Sequence, residues 1–302
     1  MQSVYYREHY PESPGEFLDA VSLRGANFVL LGKYQWLFRG QPGRHPLVPT
    51  AWRENAMSEF SPDSPVETYG QLVRAETEIA RRFFRLADVR GLELPEDTQR
   101  LRTYIYENRE LSFAEWPPKE FLPLLALARH FGLPARLLDW TWNPYVGAYF
   151  AAAETIRAVR EKGMEEAGAL EVYALSVDVF DTRRLAKTLG VHWRGGGLRL
   201  VTAPTAGNQN LRAQEGAFTL LDQVCGPDAP IPRAAVEALV RSLEGNGIVS
   251  PLLHRFVLPA KDAWMLLYLL AAEGVSASSV WPGYGGVALE VAESMQEGIG
   301  SL

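Results

Sequence analysis

Apolar and polar positions alternate along the chain in two rhythms. Leu72, Ile79, Phe83 and Leu86 recur at helical spacings with charges between them, which predicts a helix over about Val66 to Ala87. Further helices are expected over Asp97 to Asn108 and Pro118 to Phe131, the latter closed by Gly132. Ser13-Pro14-Gly15-Glu16 has the form of a capping box with proline in the first turn, opening a helix through Phe17, Leu18 and Val21. Asn143-Pro144 is a cap followed by proline, and the helix it opens is expected to reach about Glu161. Two more helices are expected over 231–243 and 260–273.

The second rhythm is extended. Phe28 to Gly40 is rich in aromatic and branched residues and is stopped by Gln41-Pro42-Gly43. Arg136 to Thr141, Ala169 to Val177, Leu198 to Val201, Phe218 to Leu221 and His254 to Leu258 are the other strand candidates. Helices dominate the first half and strands the second, without strict alternation. The expected fold is therefore α+β: one domain over residues 1–302, with a mainly helical N-terminal half packed on a mixed or antiparallel sheet.

Composition narrows the function. The chain has 302 residues, 47% of them hydrophobic and 22% charged, enough for a substantial core. Its net charge of −6 argues against bulk attraction to nucleic-acid phosphate. The lone cysteine, Cys225, rules out an internal disulfide and a multi-cysteine metal site. The histidines show no metal spacing, and the phosphate-loop, nucleophile-elbow and HExxH motifs are absent. The triple glycine at 195–197 is not followed by a dinucleotide helix and fits a turn. With no apolar run long enough to span a bilayer, the expectation is a soluble, cytoplasmic protein.

One stretch breaks both rhythms. HFGLPARLLDWTWNPYVGAYFAA, residues 130–152, sets Arg136, Asp139 and Thr141 among apolar neighbours. Arg136 and Asp139 are three apart, so a strand turns them to opposite faces and each needs its own partner. Asp139 suits either a helix cap or a partner for Arg39. Arg39 itself ends an apolar strand and is followed by Gly40, where a ligand or another backbone can approach. Its guanidinium fits a phosphate or carboxylate, and a structural ion pair equally. Thr141 is either a turn-former or a ligand contact, and His130 either a structural histidine or a site residue. Residues 208–221, NQNLRAQEGAFTLL, have the same dense polar character before becoming a strand.

Together LFRGQ (37–41), PLVPT (46–50), residues 130–152, RAQEGAFTLL (212–221) and VSASSVWPGYGG (275–286) resemble the FRG domain family, named for its Phe/Tyr-Arg-Gly motif. The resemblance spans nearly the whole chain. It departs at Arg129 and Glu215, where the family usually has Gln, at Ala135, usually Thr, and at Pro282-Gly283, usually Pro-Asp. A weaker similarity is to ADP-ribosyltransferases. Phe38-Arg39-Gly40, then Leu138-Asp139-Trp140-Thr141, then Ala148-Tyr149-Phe150-Ala151, then Gln214-Glu215 follow the order of motifs in those enzymes.

That similarity implies an ADP-ribosyltransferase-like core and NAD as substrate. It implies Glu215, Gln214 and Asp139 as catalytic, and Arg39, Gly40, Thr141, Arg136, His130 and Trp140 as cofactor-binding residues. Arg39 would hold the phosphates, Thr141 brace the ribose, and Trp140 stack on a flat ring. The implied setting is a bacterial toxin or anti-phage effector, with a nucleic-acid or protein acceptor, a cognate neutralising partner and no membrane. The alternative is a non-catalytic module that binds a nucleotide or nucleic acid in the same pocket.

Overall fold

The computed structural model describes residues 7–28, 35–61, 65–107, 116–180, 197–205, 208–221, 225–231, 236–244 and 252–297. Residues 29–34 of the first expected strand, His192 and Gly195-Gly196 lie outside them. The described strands are β1 (Arg7–His9), β2 (Trp36–Pro42), β3 (Leu137–Thr141), β4 (Ala169–Ser176), β5 (Leu198–Val201), β6 (Gly216–Leu221) and β7 (Leu253–Pro259). They form one sheet in the order β1-β7-β4-β2-β3-β6-β5. Every described pairing is antiparallel except β1 on β7. The fold is α+β with a mixed sheet.

Helices cover both faces. On one lie α1 (Pro14–Val21), α5 (Pro144–Lys162) and α9 (Ala263–Ala272), which share a core with Phe38, Val172 and Phe256. On the other, α2 (Tyr69–Val89), α3 (Gln99–Tyr106), α4 (Leu122–His130) and α8 (Val236–Glu244) share a core with Leu37, Leu138, Tyr173 and Phe218. Between β3 and the C-terminus lie the short α6 (Met164–Ala167), α7 (Gln209–Ala213) and α10 (Ala277–Val280), then α11 (Tyr284–Glu297).

Local chemistry explains the boundaries. Asn143 caps α5 through its Oδ1, which accepts from Tyr145 N at 3.0 Å. Ser13 caps α1 by accepting from Glu16 N at 3.3 Å, but the Glu16 carboxylate accepts from Glu12 N, not from Ser13, so the box is only half formed. β2 runs on through Gln41 and Pro42, past its expected stop, because β4 pairs with it down to Pro42↔Leu170. A proline fits there, at a strand's end.

α5 lies unusually close to β2. A Cβ on Gly40 would stand 1.9 Å from Gly147 O and 2.6 Å from Ala151 N. The small residues Gly147, Ala148, Ala151 and Ala152 form the helix face that permits this approach.

β1 is fastened to β7 mainly by polar groups. Arg255 pairs with Glu8 at 2.7 Å and with buried Glu171, which also accepts from Tyr173 OH at 2.8 Å. Beside them His9 Nε2 and His254 Nδ1 are 2.9 Å apart, and both rings stack with Phe256. Burial, reinforced by His9 and Arg7, pushes His254 down to about 4. His254 is therefore neutral in the fold, while the unfolded chain takes up its proton below about 6.5. Stability should fall as pH drops from about 6.5 towards 4, by about 2–3 kcal/mol through this residue. Urea denaturation at pH 7 and pH 4.5 checks it: His254→Phe should lose less between the two conditions than the parent protein. Equal losses would assign the acid sensitivity elsewhere.

Candidate functional site

β2 and β3 meet through a single pair, Phe38↔Thr141. The same antiparallel register would set Arg39 opposite Trp140 and then Gly40 opposite Asp139, but the ladder stops. Instead Arg39 Nη1 donates to the Asp139 carbonyl at 2.9 Å. At this seam a cavity of about 260 Å³ opens, bordered by Arg39, Gly40, Arg129, His130, Asp139, Trp140, Thr141, Phe150, Glu154, Gln214 and Trp281 among others. It draws on β2, the end of α4, β3, α5, the turn before β6 and the end of α10. Residues remote in sequence thus meet at one place.

The floor is an interlock of two turns. Thr141 Oγ1 donates to Gln214 O at 2.6 Å and accepts from Asn143 N at 3.0 Å. Asn143 Nδ2 donates to Glu215 Oε1 at 3.2 Å, and Trp142 N donates to Glu215 O at 3.0 Å. Glu215 adopts φ 47°, a left-handed conformation costing a non-glycine residue roughly 1 kcal/mol. The Gln214 side chain is buried, with Nε2 donating to Val280 O at 3.3 Å.

The wall is cationic. Asp139 Oδ2 accepts from Arg129 Nε and Nη2 at 2.9 and 2.8 Å, and lies 3.7 Å from Arg39 Nη1. One carboxylate oxygen thus serves two guanidinium groups. Burial works against the Arg39 charge, Asp139 supports it, and Arg129 and Arg53 add repulsion. Arg39 Nε and His130 Nε2 are buried with no hydrogen-bond partner among the described residues. Buried polar atoms of this kind demand a reason, and a ligand that accepts hydrogen bonds supplies one. Burial also lowers His130, with Asp139 opposing and Arg129 reinforcing, so its imidazole is neutral near pH 7. Phe150 and Trp281, with ring centroids 5.9 Å apart, make the apolar side.

Glu154 completes the lining. It is exposed to solvent, yet protein atoms crowd its carboxyl. That burial raises its pKa, with Asp139 adding to the rise while Arg39, Arg157 and Arg53 oppose it.

Several residues singled out in the sequence take other positions. The Arg136 side chain is 2% exposed and is bound to Glu76, with Nε at 2.7 Å from Oε2 and Nη1 donating to Tyr69 OH at 3.0 Å. It is a core ion pair away from the cavity: Arg136 lies one residue before β3 and is held against α2 by Glu76. Trp140 borders the cavity, but its indole is buried and donates to Thr219 Oγ1 at 2.9 Å, so its ring is not offered for stacking. Glu215 is not among the lining residues. Gly40 borders the cavity, and the backbone it admits is that of α5.

Arg129, Phe150, Glu154 and Trp281 border the cavity without having been expected as site residues. Two signals for them were present in the sequence. Arg129 is one of the departures from the FRG pattern, and Gly147, Phe150 and Glu154 follow the helical spacing of three and four residues. Among the described residues no group of His, Cys, Asp and Glu side chains is arranged to hold a metal ion, and no helix is long and apolar enough to cross a membrane.

Residues 34–159 match the family model of the FRG domain. The match covers under half of the chain. It includes Arg39, Arg129, Asp139 and Glu154, while Gln214 and Trp281 lie beyond it. No curated protein and no solved structure matches the chain, and the likeness to ADP-ribosyltransferases finds no support among these comparisons.

The two ion pairs should respond differently to truncation. Glu76→Ala leaves Arg136 charged and fully buried, and is expected to cost about 3–5 kcal/mol. Asp139→Ala removes a carboxylate that is 34% exposed beside partly solvated arginines, and is expected to cost about 1–3 kcal/mol. Urea denaturation of both variants measures the order, and a larger loss for Asp139→Ala would reverse the assignment of scaffold and site.

Proposed function

We propose that the cavity binds a phosphate-bearing dinucleotide of the NAD type, and that the protein is an NAD-using, ADP-ribosyltransferase-like enzyme. The observation that supports this reading is Arg39: a guanidinium at a strand end, under-compensated by a shared carboxylate, with a buried Nε that has no hydrogen-bond partner among the described residues. A pyrophosphate supplies the charge and acceptor atoms such a group lacks, by a charge-assisted, two-pronged contact. About 260 Å³ accommodates the phosphates and one ring end of a dinucleotide rather than its whole length. Phe150 and Trp281 offer that ring apolar surface, and the neutral imidazole of His130 offers a hydrogen bond.

Breaking the bond between nicotinamide and ribose develops positive charge on the sugar, and a nearby carboxylate stabilises it. The criterion that separates an enzyme from a binding module is such a carboxylate facing Arg39. Glu215 does not meet it, whereas Glu154 lines the cavity and its charge couples directly to Arg39. A macromolecular acceptor, nucleic acid or protein, belongs to this reading. So do a cytoplasmic setting as a bacterial toxin or anti-phage effector and a cognate neutralising partner. A second reading, a non-catalytic nucleotide-binding module, draws on the Glu215 carboxylate being bound to Asn143.

Calorimetric titration with NAD tests the reading. The parent protein should bind. Arg39→Lys, which keeps the charge but loses the planar fork, should bind at least about tenfold more weakly. Arg39→Ala should show no binding while retaining native circular dichroism. Equal affinity in all three would remove Arg39 from the site, and no binding by the parent would end the reading.

A further inference from the structure

Glu154 has a combination of properties that no other residue at the cavity shares. Gly147, Phe150 and Glu154 lie on one face of α5 and all line the cavity. The Glu154 carboxyl accepts no hydrogen bond and forms no ion pair with the described residues, whereas Asp139 is engaged by Arg129 and Glu215 by Asn143. It is therefore a carboxyl at the cavity whose oxygens are available for chemistry. Charged groups from three elements act on it: Arg39 on β2, Asp139 on β3 and Arg53 in the loop after β2, together with Arg157 on its own helix.

We infer that Glu154 is the general base of the reaction, a role that rests on the NAD reading of the cavity. The C1′–N bond to nicotinamide breaks, and its electron pair leaves on the ring nitrogen, giving neutral nicotinamide. The oxygen of water, or of an acceptor hydroxyl, bonds to C1′, and its proton passes to a Glu154 oxygen. With water the products are nicotinamide, ADP-ribose and one proton. Ionised Glu154 also stabilises the developing cation. A carboxyl raised towards neutrality is a better base than an ordinary one, and its proton is released to solvent through the open side of the cavity.

The test pairs a nicotinamide-release assay with NAD titration of the parent, Glu154→Gln and Glu154→Asp. In Glu154→Gln, NAD affinity and melting temperature should stay within experimental reach of the parent while turnover falls about 10²–10³-fold, the scale of losing one general base. Glu154→Asp should regain part of it. The parent's turnover should rise with pH along a limb set by this carboxyl, and that limb should vanish from the residual rate of Glu154→Gln. Full turnover in Glu154→Gln, or a fall matched by lost NAD affinity, overturns the assignment while leaving the NAD reading intact. A parent protein that binds NAD without turnover overturns the assignment and supports the binding-module reading. A parent that binds no NAD overturns both.

Discussion

The arrangement of the site depends on a missing ladder. β4 grips β2 through seven residue pairs and β6 grips β3 through five, but β2 and β3 share one. Each half-sheet is thus well fixed, and the middle of the sheet is where backbone groups need partners that strands do not supply. Arg39 answers part of that need by donating to the Asp139 carbonyl. Its guanidinium is anchored by backbone before any ligand arrives, so little side-chain freedom remains to be lost on binding. The seam sets the cavity, and the residue that bridges the seam is the cavity's principal cation.

Arg136 and Asp139, three residues apart in the same sequence stretch, illustrate how burial divides structure from site. Arg136 is surrounded by Glu76 and Tyr69, and Trp116 Nε1 adds a further bond to Glu76 at 3.0 Å. Every charge there is matched, and nothing is left over for a ligand. Around Asp139 the count is uneven: Arg39 and Arg129 converge on one oxygen, and the carboxylate is a third exposed. Uneven compensation in a half-dry cavity is costly unless something anionic visits, which is why the second cluster and not the first reads as a binding site.

Much of this was legible in the sequence, and the exceptions have physical reasons. The Asn143-Pro144 helix start, the strand ending at Thr141 and the separate partners of Arg136 and Asp139 follow from capping and from period-two alternation. The same alternation puts Trp140 opposite Asp139 and Thr141, with its indole in the core, against the stacking role that the resemblance implied. Glu215 is different. It neighbours Gln214, but the left-handed turn at φ 47° sends it to Asn143, and no pattern of residue types encodes that φ in a glutamate. β1 has three residues and pairs with a strand some 245 positions away, so no local signal marks it. Glu154 looked like one more charged residue on a helix, because its meaning comes from the strand that α5 packs against.

That packing is made of backbone. Gly40 and Gly147 bring α5 and β2 together until a single added Cβ would overlap Gly147 O at 1.9 Å. Glu154 lies seven residues beyond Gly147 on the same helix, and Arg39 directly precedes Gly40. The helix pitch and the strand rise therefore fix the offset between the backbones that carry the two charged groups, without any bond between the groups themselves. A hydrogen-bonded pair would hold the same geometry but use up the lone pairs and donors involved. Setting the backbones through glycine contacts in a close-packed core leaves the Glu154 oxygens and the Arg39 Nε uncommitted, and close packing allows the two backbones little drift. Glycine at 40 is in this sense a requirement of the site as much as of the fold, while a Cβ on Gly147 would crowd Phe38 Cβ at 3.2 Å.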